Sequence, residues 1–319
     1  MTVESSESKE LQMLEYLKNR PREELSSNFV VQLLIILLIK ARMGLTSVLY
    51  LNYLVLRLTR FSQITTKALT ILNQMLYFLL QAVKSIHSVG VCHGDISCRN
   101  IAFTCSNLWH KTEDELFSVI GCPEVEPLAR LDGTPLGDEL PKELVKAAEW
   151  TEWIEDDEED IRIFDFEEIF FHGQEPEKLA QPGLLSVPET IFTDTFDDRV
   201  DLCRIGYMIY AFLFTIWPFW YLGEDVFLVC QLINLVEKLP AEWESKWRLM
   251  LMGFKLKSGH DPIIEDDEIS KVQRKFAELE PDPIIEPLLP MMEGLMRFLP
   301  SSRLSAEDAL GMLGNLSAK

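Results

Sequence analysis

The sequence predicts an α+β fold. The C-terminal half of the chain is predicted to be rich in helices and to hold a single core. Residues 65–88 carry apolar side chains at helical spacing, and Thr65 or Thr66 can cap the start of that helix. Residues 201–216 are apolar on nearly every side, which is typical of a helix buried inside a protein. Residues 161–166, with the sequence IRIFDF, predict a short buried strand between these two helices.

Other segments complete the predicted order of elements. Residues 91–103 predict a loop that enters a short strand, and residues 44–60 predict a strand followed by a turn or helix. The apolar run at 29–39 is shorter than the roughly 20 residues that a membrane helix needs, so a buried helix or strand is favoured there. Further helices are predicted in the C-terminal half at 224–237, 242–253, 283–298 and 305–316.

The charge of the chain limits the classes of partner. Among 319 residues, 47% are hydrophobic and the net charge is −21, which indicates a globular protein with a strongly acidic surface. Such a surface repels phosphate backbones and anionic lipid, so we expect neither a nucleic acid nor a membrane as partner. Residues 105–160 hold 17 acidic against four basic side chains and predict an acidic insertion. Its run EDDEED at 155–160 favours a solvated segment, and the alternative is a docking site for basic peptides.

The cysteines and the N-terminus predict an intracellular protein, either cytoplasmic or nuclear. The six cysteines are irregularly spaced and include no C-x-x-C pair, which is typical of free thiols in a reducing compartment. The first residues are polar and acidic, unlike a signal peptide. Zinc binding by Cys92, His93, Cys98 and Cys105 is disfavoured, because their spacing fits no common structural zinc site.

One group of residues has the composition that phosphoryl transfer needs. His93-Gly94-Asp95 is followed five residues after the aspartate by Asn100, and Asp165 ends the predicted strand at 161–166. Phosphoryl transfer needs a carboxylate that orients the attacking hydroxyl and groups that hold Mg²⁺. Asp95 could do the first, and the oxygens of Asn100 and Asp165 are ligands that suit a hard cation.

This pattern, H-x-D-x-x-x-x-N and then a strand ending in D-F, resembles the protein kinase superfamily. The resemblance implies a kinase-like fold, with Asp95 and His93 in the catalytic loop, Asp95 as the base, and Asn100 and Asp165 as Mg²⁺ ligands. Aminoglycoside-phosphotransferase-like proteins also carry H-G-D and D-F-E. A small-molecule kinase of that type is therefore an alternative.

The chain after residue 186 favours the protein kinases. Val187-Pro188-Glu189 stands where the family has A-P-E, and the segments KLPAEWESKW and MRFLPSSRLSAEDAL resemble the C-terminal lobe of SR-protein-kinase-like serine/threonine kinases. The resemblance implies that Asp201 anchors the catalytic loop and that Glu189 and Arg303 form a buried ion pair. The resemblance covers about residues 48–316.

The N-terminal part departs from the family pattern. The first glycines are Gly44 and Gly90, so no Gly-rich phosphate loop precedes the catalytic motif. Lys40, after LIILLI, is a weak candidate for the lysine that contacts the phosphates of ATP. We therefore expect residues 1–47 to be a remnant of, or a substitute for, the small lobe, and residues 48–319 to form the C-terminal lobe with its acidic insertion.

The catalytic loop departs as well. Gly94 stands where the family has arginine, Ser97 where serine/threonine kinases have lysine, and Glu167 where D-F-G has glycine. Arg99 is a candidate substitute for the phosphate contact. We therefore expect a degenerate serine/threonine kinase (a pseudokinase) with weak or no transfer from ATP, which uses ATP and Mg²⁺ if it is active. The alternative is an active divergent kinase, and in either case the expected partner is a protein or a peptide substrate, possibly basic.

Overall fold

A computed structural model describes most of the chain after residue 65. The described residues are 13, 16, 17, 66–103, 111–137, 141–146, 161–179, 181, 183–193, 195–220, 223–260, 262, 264, 270–279 and 285–317. Contacts between residues divide the chain into two compact units, one of residues 1–103 with 160–319 and the other of residues 104–159. Apart from three positions, the predicted small-lobe remnant at 1–47 lies outside the described residues, as do Lys40 and the segment 44–60.

The predicted helices and strands that fall on described residues appear in the predicted order, beside further elements that were not predicted. The helices are α1 (Thr66–Ser88), α2 (Glu113–Ile120), α3 (Glu189–Phe192), α4 (Arg199–Phe214), α5 (Asp225–Leu235), α6 (Glu244–Ser258), α7 (Lys271–Ala277), α8 (Leu288–Leu295) and α9 (Ala306–Ser317). The strands are β1 (Val91–Cys92), β2 (Ile101–Phe103), β3 (Val125–Pro127), β4 (Glu143–Val145), β5 (Ile161–Ile163) and β6 (Phe170–Phe171). The predicted α+β class is confirmed, and helices outweigh strands among the described residues.

Helix α4 lies at the centre of the larger unit. Every side chain from Val200 to Leu213 is buried, as its almost uniformly apolar sequence predicts. Helix α8 packs against it at Gly206, where a Cβ atom would lie 2.6 Å from Cγ of Met296. The glycine therefore permits the close approach of these two helices.

Helix α1 connects the C-terminal helix to the strands. It packs against α9 and also against β1 and β5. The residues that set its predicted helical spacing are buried, which confirms the amphipathic pattern: Leu69, Leu72, Leu76, Leu79, Leu80 and Val83.

The strands of the larger unit form two short antiparallel pairs. Strand β1 pairs with β6, and β2 pairs with β5 so that Ile101 faces Ile163 and Phe103 faces Ile161. The predicted strand at 161–166 ends at Ile163, three residues early. The reason is local, because Asp165 takes a left-handed conformation with φ 66° that no strand residue adopts.

The predicted helix at 283–298 is shorter in the structure, where α8 begins after Pro287 and ends at Leu295. Proline has no N–H to donate and fits the first turn of a helix, so it marks a start. Helix α7 was not predicted. Its start is capped by Ser270, whose hydroxyl accepts a hydrogen bond from the backbone N–H of Gln273.

The smaller unit has described residues 111–137 and 141–146. Helix α2 begins with a capping box, in which the Thr112 hydroxyl accepts from the Glu115 N–H and the Glu115 carboxylate accepts from the Thr112 N–H. Strands β3 and β4 form an antiparallel pair in which Val125 faces Val145. The predicted acidic insertion therefore contains regular structure, and its run EDDEED lies outside the described residues.

The five described cysteines are free thiols, four of them buried. Among the helices whose residues are described, none combines the length and the apolar character that crossing a membrane requires.

Candidate functional site

The loop between β1 and β2 carries the predicted catalytic residues and is held by Asp201 in the first turn of α4. The Asp201 carboxylate is fully buried and accepts hydrogen bonds from the backbone N–H of His93 at 2.8 Å and of Gly94 at 3.0 Å. It also accepts from Nε2 of His87 at 2.9 Å. These two backbone donors tie the loop to α4, and the side chains of His87 and Cys92 also donate to the same carboxylate.

The ionised form of Asp201 is favoured despite its burial. Burial by itself raises the pKa of a carboxyl group, but the hydrogen bond from His87 and the loop N–H groups outweigh it, so the pKa of Asp201 lies below its ordinary value. A buried carboxylate with several donors is a strong anchor, because charged hydrogen bonds exceed neutral ones in strength.

Gly94 is required by the backbone of this loop. It has φ 76°, and a Cβ atom there would lie only 2.6 Å from the backbone oxygen of Glu168. An L residue at this position would adopt a strained backbone conformation, and its side chain would clash with the neighbouring backbone. Glycine is therefore the residue that this turn of the loop requires.

Asp95 and Asn100 are joined directly. The Asn100 side-chain amide donates to the backbone oxygen of Asp95 and to its Oδ2, both at 2.8 Å. Asp95 is partly exposed, and its pKa is raised because burial outweighs the lowering effects of Arg204 and Asn100. A carboxylate with a raised pKa accepts a proton more readily, which is the property expected of a general base.

The amide of Asn100 also supports a cation site. With both N–H bonds directed at Asp95, the carbonyl Oδ1 is the acceptor end of the amide and is the atom that could bind a cation. Asp165 adds a carboxylate close to this loop, since the N–H of its neighbour Phe164 donates to the Asn100 backbone oxygen at 3.1 Å. An amide oxygen and a carboxylate are hard ligands, so the residues fit Mg²⁺.

Asp165 is held in an unusual backbone conformation. Its φ of 66° is uncommon for a residue other than glycine, and the side chain is half-buried. Strained residues of this kind cluster at functional sites, where the surrounding structure stabilises them. The conformation also ends strand β5 and turns the chain at the point where the predicted metal ligand lies.

His93 is enclosed by the loop it belongs to. Its Nδ1 accepts from the backbone N–H of Asp95 at 3.3 Å, which leaves Nε2 to donate to the Phe164 oxygen at 3.1 Å. Its ring packs on Phe166 with centroids 5.0 Å apart, and burial lowers its pKa, so the imidazole is neutral. These contacts make His93 a link between the Asp95 loop and the Asp165 turn, and its predicted catalytic role stays a prediction.

Arg204 is a residue of the site that the sequence interpretation missed. It lies fully buried in α4, and its guanidinium is 3.5 Å from Oδ1 of Asp95 and donates to the Gly94 oxygen. It also donates to the Leu185 oxygen and to Oε1 of Gln181, each at 3.4 Å. The signal was present in the sequence, because an arginine inside an apolar helix needs acceptors supplied by other segments.

The other predicted site residues are placed as follows. Arg99 is exposed on the loop surface, and Lys40 lies outside the described residues. Glu189 and Arg303 form a buried bidentate ion pair with N–O distances of 2.6 and 2.5 Å. This pair joins the start of α3 to the segment before α9, so it supports the site without facing it.

One group of three potential metal ligands has another explanation. Atoms of His87, Cys92 and Asp201 lie within 4.8 Å of one another. The Cys92 thiol donates to Asp201 at 3.3 Å, and burial raises the pKa of this thiol well above its ordinary value. A protonated thiol is a poor metal ligand, so we interpret the group as part of the loop anchor.

Comparisons with known proteins give one informative finding. No protein-family model and no curated protein sequence matches the chain. Among solved structures, the chain is similar to the crystal structure of a Plasmodium kinase domain, with 14% sequence identity and a TM-score of 0.46. That alignment covers 82% of this chain and 69% of the other. At this identity and TM-score, the likeness carries no statement about activity.

Proposed function

We propose that this chain is a degenerate serine/threonine-kinase-like protein whose transfer of phosphate from ATP is weak or absent. It keeps the acceptor and metal side of a phosphotransfer site. The observation that supports this most directly is the paired geometry of Asp95 and Asn100, in which both amide N–H bonds meet Asp95. The predicted partner is a protein or a peptide substrate, with basic peptides as a candidate class.

In this proposal each residue has a separate task. Asp95 accepts the proton of a hydroxyl group and is oriented by Asn100 and Arg204. Asn100 and Asp165 hold Mg²⁺, which when bound neutralises charge on the phosphates of ATP. Asp201 keeps the loop in place through its two backbone hydrogen bonds.

The weakness of transfer is inferred from substitutions around these residues. Glu167 places an exposed negative charge two residues after Asp165, where it opposes the approach of a phosphate. Ser97 replaces the family lysine and therefore supplies no positive charge beside Asp95. Both changes remove electrostatic stabilisation from the group that would be transferred.

An active divergent kinase is the second candidate. The left-handed conformation of Asp165 favours it, since backbone strain at a predicted metal ligand is typical of working sites. The intact set of Asp95, Asn100 and Asp165 also favours it.

Thermal unfolding with and without MgATP tests whether the metal side of the site functions. A ligand that binds only the folded chain stabilises it, by about 2.7 kcal/mol at a hundredfold excess over its dissociation constant. We expect a Mg²⁺-dependent rise in the midpoint that Asp165→Asn abolishes and that Glu242→Gln, which removes an exposed carboxylate elsewhere, retains. The absence of any rise in the wild-type chain would contradict nucleotide binding and leave a platform for partners.

Phosphate transfer from labelled ATP then separates the candidates. Weak or undetectable labelling of basic, serine-rich peptides agrees with the proposal. Rapid labelling that Asp95→Asn removes would establish the active kinase instead. Labelling of aminoglycosides or choline, with none of peptides, would identify a small-molecule kinase.

A further inference from the structure

Helix α6 has two apolar faces, of which the structure uses one. Trp247 and Phe254 lie on the inner face and are buried, and Met250 and Leu251 beside them are half-buried. Phe254 contacts Phe227 with ring centroids 5.1 Å apart, which attaches α6 to α5. This inner face accounts for the packing of the helix.

The second face points to solvent. Leu249, Met252 and Leu256 have relative exposures of 69%, 63% and 87%. Their i, i+3, i+7 spacing places them in one stripe, and each lies about 200° round the helix from a buried aromatic residue two positions away. An amphipathic surface helix normally has polar residues on this side, so the outer stripe is unexplained by the fold.

Basic side chains border the outer stripe on both sides. Lys246 and Lys257 lie along one edge, and Arg248 and Lys255 lie along the other, all four exposed. Glu244, at the first turn, is the one acidic residue of α6 and pairs with Arg248. A basic border is unusual in a chain whose net charge is −21, and it indicates a surface with its own electrostatic preference.

We propose that the outer stripe of α6 is a docking site for an acidic amphipathic helix of a partner protein. Apolar residues of the partner at i, i+3 or i+4, and i+7 would cover Leu249, Met252 and Leu256. Glutamate or aspartate on the partner helix would meet Lys246 and Lys257 along one edge. Along the other edge, Arg248 and Lys255 have partners of their own and contribute to the positive potential. The proposal concerns a surface outside the catalytic loop and does not depend on whether the chain transfers phosphate.

Charge also distinguishes this occupant from two others. A second copy of the chain would bring one basic border against another, which like-charge repulsion opposes. An anionic membrane extends far beyond the border and would also meet the acidic remainder of the chain, which repels it, whereas a single helix meets only the border. A protein helix with acidic edges satisfies both the apolar stripe and its border.

Fluorescence anisotropy with a designed peptide tests the proposal on the full chain. The probe is a labelled synthetic helix with leucines at i, i+3, i+4 and i+7 and glutamates on both edges. Its control is a scrambled peptide of the same composition. We expect saturable binding of the designed peptide, at least about tenfold tighter than the scrambled one, that weakens as salt is raised.

Two variants locate the binding surface. Leu249→Gln with Leu256→Gln is expected to weaken binding at least about tenfold. Leu131→Gln, a matched change at a fully exposed leucine outside α6, is expected to leave binding unchanged. Lys246→Glu with Lys257→Glu should weaken binding of the peptide and reduce the dependence of its affinity on salt. Because all of these positions are exposed, the unfolding midpoints should stay close to that of the wild type.

Other results would overturn the proposal. These are no saturable binding of the peptide up to about 1 mM, equal binding of the scrambled peptide, or binding that the leucine variant retains. Concentration-dependent dimerisation that the leucine variant abolishes would assign the stripe to a second copy. Binding to phosphatidylserine vesicles, with none to the peptide, would assign it to a membrane.

Discussion

Arg204 shows how one buried charge organises several segments of this molecule. Its guanidinium contacts Asp95 and Gly94 of the loop between β1 and β2, and Leu185 and Gln181 of the segment before α3. A buried cation is stable only when acceptors surround it, so these segments are held in place by the same side chain. We therefore regard Arg204 as a positioning residue for Asp95.

Replacing Arg204 by methionine should destabilise the chain by about 3–5 kcal/mol, because Asp95 and the Gly94 oxygen lose their partner. The free energy of unfolding in urea measures this, and Arg248→Met, which breaks an exposed ion pair, should change it by less than about 1 kcal/mol. The pKa of Asp95, followed by NMR, should rise further in Arg204→Met and less in Arg204→Lys. An unchanged pKa of Asp95 would show that Arg204 does not position it.

Asp201 should make stability depend on pH in the acid range. Folding lowers the pKa of Asp201 below its ordinary value of 3.8. The stability that its carboxylate contributes is therefore fully present above pH 3.8 and is lost as the pH falls through the lower pKa of the folded state. Asp201→Asn should reduce the free energy of unfolding by about 3–5 kcal/mol at pH 7 and flatten its dependence below about pH 4. Urea unfolding from pH 3 to 7 measures both effects, and an equally steep dependence in the variant would contradict this assignment.

At the scale of elements, the Glu189–Arg303 pair connects α3 to the segment that leads into α9. Arg303 also donates to the backbone oxygens of Arg297, Arg199 and Phe298, so one side chain contacts three segments: the start of α3, the start of α4 and the residues that follow α8. Both members are buried, and a buried pair is costly to break from one side only. The pair therefore determines how the C-terminal helices pack around α4.

A double-mutant cycle should reveal strong coupling in this pair. Glu189→Gln and Arg303→Met should each lower the free energy of unfolding by about 3–5 kcal/mol, because each leaves the other member of the pair buried without its partner. The double variant should lose less than the sum of the two, since it leaves no unpaired buried charge. The free energy of unfolding of the four proteins measures the coupling. The exposed pair of Lys84 and Glu307 serves as the control cycle and should give less than about 1 kcal/mol. Additive losses at Glu189 and Arg303 would contradict the prediction.

At the scale of the whole molecule, the acidic segment leaves and re-enters the larger unit at neighbouring positions. Phe103 ends β2 and faces Ile161, which begins β5, so the two strands form a hairpin whose connection is the segment 104–160. Long insertions at such a place are tolerated, because the entropy of closing a loop rises slowly with its length. The larger unit should therefore not need this segment in order to fold.

Replacing residues 104–160 by Asn-Gly should leave a cooperatively folding chain, since this dipeptide favours a tight antiparallel turn. The unfolding midpoint, followed by circular dichroism, should stay within about 5 °C of the wild type. A neutral Gly/Ser linker as long as the original segment separates the effect of charge from that of connection length. Loss of cooperative unfolding in both variants would show that the segment stabilises the larger unit.

The order and type of the main helices could be predicted from the sequence, because apolar spacing is a local property that burial then preserves. Asp95, Asn100 and Asp165 were also predicted as site residues from the spacing of their motif, and their catalytic and metal-binding roles stay predictions. The sequence did not show that β5 ends before the left-handed conformation of Asp165, three residues earlier than predicted. It also did not show helix α7, whose cap is a single serine. These depend on one backbone angle or one hydrogen bond, which weak local preferences do not specify.

Only the tertiary structure decided which side chains meet across long separations. Arg204 and Asp95 are far apart in the chain, and their contact depends on how the loop lies against α4. Gly94 and Glu168 are also far apart, and their close approach depends on how the loop lies against the segment between β5 and β6. The two-faced character of α6 was also decided there, since the sequence marks its apolar residues without saying which face the core covers. The pattern of a sequence reports what a segment prefers, whereas packing determines which neighbour satisfies that preference.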